Sequence, residues 1–444
     1  MGLEPSLYEC LASTFRQVYP PGKLSVHLCV PSRDDAAYPV LRRVLADFPD
    51  IDARIYVEED DPLLHGAAGH VHNLGPNPKI RNLSRGYREA RGDLVWIIDC
   101  NVWVSRGAAA RMADKLCGRG PGGRRVAPYK FVHHLPLVVD VSPGAAAGAG
   151  ARLDEMFMAT THAKFYSAIN TVGVAPCIVG KSNMFRRSHL DQLTDPARNP
   201  VLRPADAVRG RGLDFFSSYI CEDHLVGDLL WRSRLPGYRN HGLVPGDLAV
   251  QPMAGTSAAA YVARRVRWLR VRKWTVLLAT LVEPGVESLL CCFYFAFAAT
   301  TAPAISAFLG TPQTWRAFAA LWLGAVLVWL TADWYTCRKL HAFQSVEVDE
   351  HTPDFARGAR RRGGTARRPF GEWLLAWVGR EVLALPIWIW AVLLGTTVTW
   401  RGKGFRVRMD MSVVEIDDKG RAKQRLANGA PAKPPPLDGK RRLD

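Results

Sequence analysis

Apolar positions along the chain follow two regimes that meet near Trp274. Upstream, short apolar runs alternate with helically spaced stretches; downstream, uncharged runs approach the length of a bilayer core. LSVHLCV at 24–30 alternates and then runs apolar into a polar loop, Pro31-Ser32-Arg33-Asp34-Asp35, which predicts a strand and a turn. Residues 40–48 have helical spacing and 53–57 make a second strand. A helical stretch ending at 87–91 leads to LVWII at 94–98, a strand of the fully buried kind. Strand, helix, strand alternation predicts an α/β sheet with ligands beyond the carboxyl ends of its strands.

Glycine- and proline-rich tracts near 119–125 and 141–151 read as surface loops, and 191–213, polar and rich in Pro and Arg, as an insertion. Structured sequence resumes at Cys221-Glu222-Asp223-His224, where the acidic pair before Leu225, Val226, Leu229 and Leu230 marks a helix N-terminus. Past Trp274 the apolar candidates are 288–309, 317–330 and 382–398, the last with Pro386 as a kink; the second and third are short enough to be re-entrant or interfacial. Arg357, Arg360, Arg361, Arg362, Arg367 and Arg368 lie between them, and the positive-inside bias puts that loop and the leading domain in the cytosol. The division expected is a catalytic domain over 1–274, a membrane region over 275–400 with a basic loop at 338–372, and a basic tail over 401–444, disordered from about 419.

A formal net charge of +17 raises nucleic acid, anionic lipid and phosphorylated substrates as partners. Much of the arginine excess flanks apolar segments, and no zinc-finger or RNP pattern accompanies it, which favours a lipid bilayer and excludes nucleic acid. The nine cysteines have no C-x-x-C spacing and suggest neither disulfides nor a zinc ribbon. There is no secretory signal, so the leading domain is expected in the reducing cytosol. Met1-Gly2 with Ser6 fits a loose myristoylation pattern, and His65, His70 and His72 have no helix to fix them as metal ligands.

Candidate chemistry starts with Asp99, which emerges from the 94–98 strand; with Asn101 it offers oxygens to a divalent cation on a nucleotide diphosphate, or else it caps a turn. Asn77-Pro78-Lys79-Ile80-Arg81-Asn82 supplies a lysine and amides in a proline-stiffened loop suited to an anion. Asp223 reads either as a general base or as a plain N-terminal helix charge. Arg264, Arg267 and Trp268 form R-x-x-R-W, whose arginines share roughly one helix face; they suit a diphosphate, or a collar at lipid headgroups. Gln251 and Ser257 precede this motif and are expected to line the same cleft.

In order along the chain, CVPSRDD, PDIDARIYV, NPKIRNLSRGY, DLVWIIDCN, EDHLVGDLL, RRVRW and WRGKGFRV resemble the ceramide glucosyltransferases, from about Pro5 to Val407. The resemblance implies a GT-A-type domain and about three membrane-associated helices in a Golgi or ER membrane. It also implies UDP-glucose as donor, ceramide as acceptor, inversion at the sugar carbon and a divalent cation, magnesium or manganese. By position it makes Asp99 the metal and diphosphate residue and Asp223 the base. Arg264, Arg267 and Trp268 close over the leaving diphosphate, and His162 and Cys177 line the cleft. The family's first aspartate falls at Ser32, so Asp34 or Asp35 takes its place beside uridine. The resemblance further implies a membrane helix and a first strand ahead of Met1. Two rivals remain: a processive polysaccharide synthase with the same motif logic, and a catalytically inactive membrane scaffold.

Overall fold

A computed structural model describes residues 2–65, 74–143, 148–200, 202–358, 368–417 and 422. His70, His72, Arg360 to Arg362, Arg367 and nearly all of the tail from 419 lie outside the described residues. Helix α1 (Leu7–Phe15) leads into strand β1 (Ser25–Val30), helix α2 (Tyr38–Asp47) and strand β2 (Asp52–Val57). The strands pair in parallel from Ser25↔Asp52 to Val30↔Val57, a pairing that needs the crossover α2 provides. Leu7, Leu11 and Phe15 of α1 and Leu41 and Val44 of α2 bury Leu28 and Val30 between them.

Helix α3 (Pro78–Arg88) begins where the sequence suggested a loop. Asn77 caps it, its side chain accepting from the backbone N–H of Lys79 at 2.7 Å and of Ile80 at 3.2 Å, and Pro78 fills the first helical position, where an N–H is not needed. There follow β3 (Leu94–Ile98), α4 (Ala108–Leu116), β4 (Tyr129–Asp140), α5 (Ala149–Phe157), α6 (Ala163–Val172), β5 (Ser182–Arg186), α7 (Glu222–Arg232) and β6 (Arg239–Met253). A single π-helical turn, Met158–His162, joins α5 to α6.

The main sheet has the order β3-β5-β4-β6, with β5 antiparallel to both neighbours and β4 parallel to β6. Because β3 is the end strand of that sheet, its residues are half-buried and not enclosed as the apolar run suggested. The expected α/β class is thus what the chain forms, as a mixed sheet. The 191–213 segment is no surface insertion: Leu193, Leu202 and Leu213 join Phe215 and Phe216 in the core beside α3 and α7. Its polar composition misled because its buried Asp195 and Asp206 are balanced locally, Asp195 by Arg211 at 3.1 Å and Asp206 by Arg209 at 3.3 Å.

Helix α8 (Ala258–Arg272) carries the R-x-x-R-W pattern, and Ser257 caps it by accepting from Ala260 N–H at 3.1 Å. The apolar region is α9 (Ser288–Thr301), α10 (Pro303–Leu309), α11 (Trp315–Leu340) and α12 (Phe370–Trp388). The uncharged run at 288–309 is bent by 89° between α9 and α10, since Pro303 keeps Ala302 extended and supplies no N–H. Among the described residues, two helices are long and apolar enough to cross a membrane, residues 315–340 and 370–393, with a third span only if the bent pair counts as one. Both run well beyond the stretches the sequence suggested, and residues 397–398 belong to a strand.

Both ends of α12 are tied to the α/β part. Arg368 donates to Asp140 at 2.8 Å and Glu155 at 2.7 Å, while Arg270 of α8 donates to the carbonyls of Trp390 at 3.0 Å and Thr397 at 2.5 Å. Fully buried Arg380 pairs with Glu287 at 2.6 Å and with Glu381. After α12, strands β7 (Thr397–Trp400), β8 (Lys403–Val407) and β9 (Val413–Ile416) form an antiparallel sheet, which takes in the first part of the stretch expected as a basic tail over 401–444. Val398, Phe405, Val407 and Val413 are buried against the cluster that includes Phe215 and Leu225, and Val413 N–H donates to Ser218 at 2.8 Å.

Candidate active site

Three element ends converge: the carboxyl end of β3 and the first turns of α3 and α7. Helix N-termini carry unpaired N–H groups and a partial positive charge, so acidic residues and anions collect there. Asp99 leaves β3 with its own N–H bonded to the Lys181 carbonyl at 3.1 Å, and the β3–β5 pairing of Ile98 with Ser182 sets Lys181 alongside. Lys181 Nζ lies 2.9 Å from one Asp99 oxygen and Lys79 Nζ 3.0 Å from the other. Lys79 also pairs with Glu222 at 3.3 Å and donates to the Gly180 carbonyl at 3.3 Å. Glu222 accepts from Asn77 Nδ2 at 3.0 Å, so the cap of α3 and the first turn of α7 are one hydrogen-bonded unit.

Burial alone would raise Asp99, but Lys181 and Lys79 outweigh it and hold the carboxyl below its usual range. Burial would lower Lys79, and Asp99, Glu222 and Asp223 reverse that, keeping the ammonium charged. Glu222 and Asp223 both move up, chiefly from burial, despite Lys79 beside them. Asp223 lines a small cavity with Lys79, Ile97, Gly180 and Asn183. A carboxylate raised toward neutrality in a cleft is a better proton acceptor than a solvated one.

The R-x-x-R-W pattern divides. Arg264 is balanced by buried Asp154 at 3.1 Å and reaches Met253 Sδ at 3.0 Å. Arg267 has no carboxylate partner among the described residues; its guanidinium lies 5.7 Å from the Trp400 ring centre, and burial, then Arg264 and Arg401, hold it down to about 10. Trp268 packs into the cluster formed by α5, α8 and α12, with the Arg265 guanidinium 5.9 Å from its ring centre.

Other expected residues fall at varied distances from this centre. Asn82 is buried one turn along α3; with its amide oriented to satisfy both atoms it donates to Glu58 at 2.8 Å and accepts from Arg401 Nη1 at 3.3 Å. Asp34 is exposed, and Asp35 accepts from Ala37 N–H in the turn ahead of α2 and from Gly2 N–H, both at 2.9 Å. His162 stacks on Tyr166 at 5.1 Å, kept neutral by burial to about 3, and the Cys177 thiol is pushed up to about 11 by burial. The Tyr166 hydroxyl pairs with His133 Nδ1 at 2.5 Å and donates to the His134 carbonyl at 3.3 Å, so this pair of rings is held within the sheet's packing. Gln251 is buried within β6, and Ser257 serves as the cap of α8.

In the free protein the residues around Asp99 do not fit a divalent cation. Both Asp99 oxygens hold ammonium groups, and among the described residues no three His, Cys, Asp or Glu side chains are placed to share one metal ion. Asn101 keeps a buried Oδ1 without a partner, while its amide nitrogen donates to Glu4 at 3.3 Å. A cation arriving with a nucleotide must compete with two lysines. Sequence reasoning gave no place at the centre to Lys181 or Asp154; Glu222 stood in the acidic pair of EDHLVGDLL and Arg401 in WRGKGFRV, each without a role of its own.

The family described as glycosyl transferase family 21 matches residues 1–194 and 198–413. The chain belongs to that family. The relatives it matches along nearly its whole length are ceramide glucosyltransferases. That of Pyricularia oryzae is 63% identical, covering 94% of this chain and 85% of the relative, and that of Gibberella zeae is 50% identical, covering 94% and 84%. The Komagataella phaffii ceramide glucosyltransferase is 37% identical, covering 94% and 82%. Among solved structures, a mannosyltransferase from Pyrobaculum calidifontis in complex with GDP-Man and Mn2+ covers 75% of this chain and 81% of its own, at 18% identity and a TM-score of 0.40.

Proposed function

We propose that the protein transfers glucose from UDP-glucose to the primary hydroxyl of ceramide, with inversion at the anomeric carbon. The observation that carries this reading is the convergence of Asp99, Lys79, Lys181, Glu222 and Asp223 on one cleft, with Arg267 left without a carboxylate beside it. Asp223 takes the hydroxyl proton as that oxygen bonds to C1 of glucose, and the C1–O bond to the diphosphate breaks with its electron pair leaving on UDP. Lys79, Lys181 and Arg267 offset the charge that develops on the leaving group. No step here runs through a metal ion.

The catalytic part is 1–274, and 275–400 seats it on an internal membrane of the ER or Golgi with the catalytic side in the cytosol. The tethering of both ends of α12 to the α/β part supports a helix lying along the bilayer face, since a crossing would put those ends on opposite sides of the hydrocarbon. The test is Asp223→Asn in membranes supplied with labelled UDP-glucose and ceramide. UDP binding is expected within about twofold of wild type with turnover lowered at least 10²-fold; near-normal turnover sinks the assignment. A labelled polymer in place of a glycolipid identifies a polysaccharide synthase instead.

A further inference from the structure

The closing motif WRGKGFRV has so far been given no task, yet it forms the hairpin β7–β8, in which Trp400 pairs with Lys403 across a two-residue turn. Both turn residues are left-handed, Arg401 at φ 50° and Gly402 at φ 73°. That is ordinary for glycine; for arginine it is an unfavourable conformation that neighbouring structure must enforce. The enforcement is visible in Phe405 and Val407, buried in the core, which fix β8. The turn consequently presents Arg401 to one neighbourhood of the molecule.

That neighbourhood is the candidate active site. Arg401 Nη1 lies 3.3 Å from the oriented Asn82 amide, and its guanidinium is 5.4 Å from the Trp400 ring centre. Arg267 approaches the same ring at 5.7 Å. Arg401 is close enough to pull against the burial that raises the Cys100 thiol to about 11, and Cys100 directly follows Asp99. Neither Arg401 nor Arg267 has a carboxylate partner among the described residues. Two guanidinium groups gathered on one indole repel each other, and an anion bridging them would offset that repulsion.

We propose that Arg401 is a ligand for the diphosphate of a nucleoside diphosphate donor, completing with Arg267 an anion site whose two halves come from opposite sides of the apolar region. The proposal rests on the glycosyl-donor reading above and adds a residue and a ligand class to it. Forked guanidinium donors recognise two phosphate oxygens at once, so a diphosphate should feel the loss of Arg401 much more than a nucleoside does.

The test is calorimetric binding of UDP, inorganic pyrophosphate and uridine to the full chain in nanodiscs, for wild type, Arg401→Ala, Arg401→Lys and Lys403→Ala. Lys403 is exposed at the start of β8, beside the turn, and controls for general charge loss. The expected result is about 10- to 100-fold weaker UDP and pyrophosphate for Arg401→Ala, a smaller loss for Arg401→Lys, and uridine and the Lys403→Ala variant within about twofold of wild type. Equal affinity of wild type and Arg401→Ala for UDP and pyrophosphate overturns the proposal, as does an equal loss for uridine, which reports a collapsed hairpin. If pyrophosphate shows the loss while UDP-glucose proves not to be a donor, the Arg401 site stands and the UDP-glucose reading falls. Wild type binding neither UDP nor pyrophosphate overturns both.

Discussion

Replacing Lys79 with methionine tests the electrostatics of the centre directly. Lys79 Nζ sits 3.0 Å from Asp99 and 3.3 Å from Glu222, and both pairs are largely shielded from solvent. At an effective dielectric constant of about 20 each contact is worth roughly 5 kcal/mol before the desolvation of the ammonium, itself several kcal/mol, is subtracted. Methionine leaves three neighbouring carboxylates facing Lys181 alone, and cutting one partner from a buried pair costs about 3–5 kcal/mol. Thermal unfolding in nanodiscs at pH 8 should therefore shift down by on the order of 10 °C. The shift must also depend on pH. Glu222 and Asp223 are already raised, and without Lys79 they rise further, so the folded state holds protons that the unfolded chain releases. Stability of the variant then falls as pH climbs from the ordinary carboxyl range through the raised values. The gap to wild type should be small at pH 5 and complete at pH 8, and Lys79→Arg should show little of it. An equal gap at both pH values, or none at pH 8, refutes the reasoning.

Gly180→Ala would set a methyl 3.0 Å from Asp223 Oδ2 and 3.1 Å from Lys79 Nζ; turnover should fall about tenfold with UDP affinity nearly kept, and unchanged kcat would show that the spacing is slack. Because Asp223 is raised and must be ionised to accept a proton, the acid limb of kcat/KM should bend above the ordinary aspartate value of about 3.9; a bend at or below it argues against Asp223 as the base. With two lysines on Asp99, Mn²⁺ should bind the nucleotide-free protein only at millimolar levels and at least tenfold more tightly once UDP is present, as followed by electron paramagnetic resonance. Tight binding without UDP would contradict the geometry.

Much of the centre was legible because its residues sit at element ends: Asp99 after an apolar run, Lys79 in the Asn-Pro stretch read as an anion-binding loop, Asp223 at the start of α7. What stayed hidden depends on contacts between distant segments. Lys181 belongs to the site through the register of β5 against β3, which no local pattern encodes. The opposite fates of Arg264 and Arg267, one on Asp154 and the other on Trp400, follow from helix packing and not from their shared spacing. The 191–213 stretch looked like a loop because its charges are paired internally, and α9–α10 looked like one span because composition does not register a bend at Pro303.

The late strands also set an order of events during synthesis. The core beside Asp223 contains Phe405, Val407 and Val413, which leave the ribosome only after every apolar helix has done so. Until then α3 and α7 expose an unfinished hydrophobic face, and nascent chains in that state invite aggregation or chaperone capture. Removing a buried phenylalanine costs about 3–5 kcal/mol, so a chain that stops short of Phe405 also loses much of what holds the early domain together. The apolar segments are therefore all synthesised before the core beside Asp223 can close.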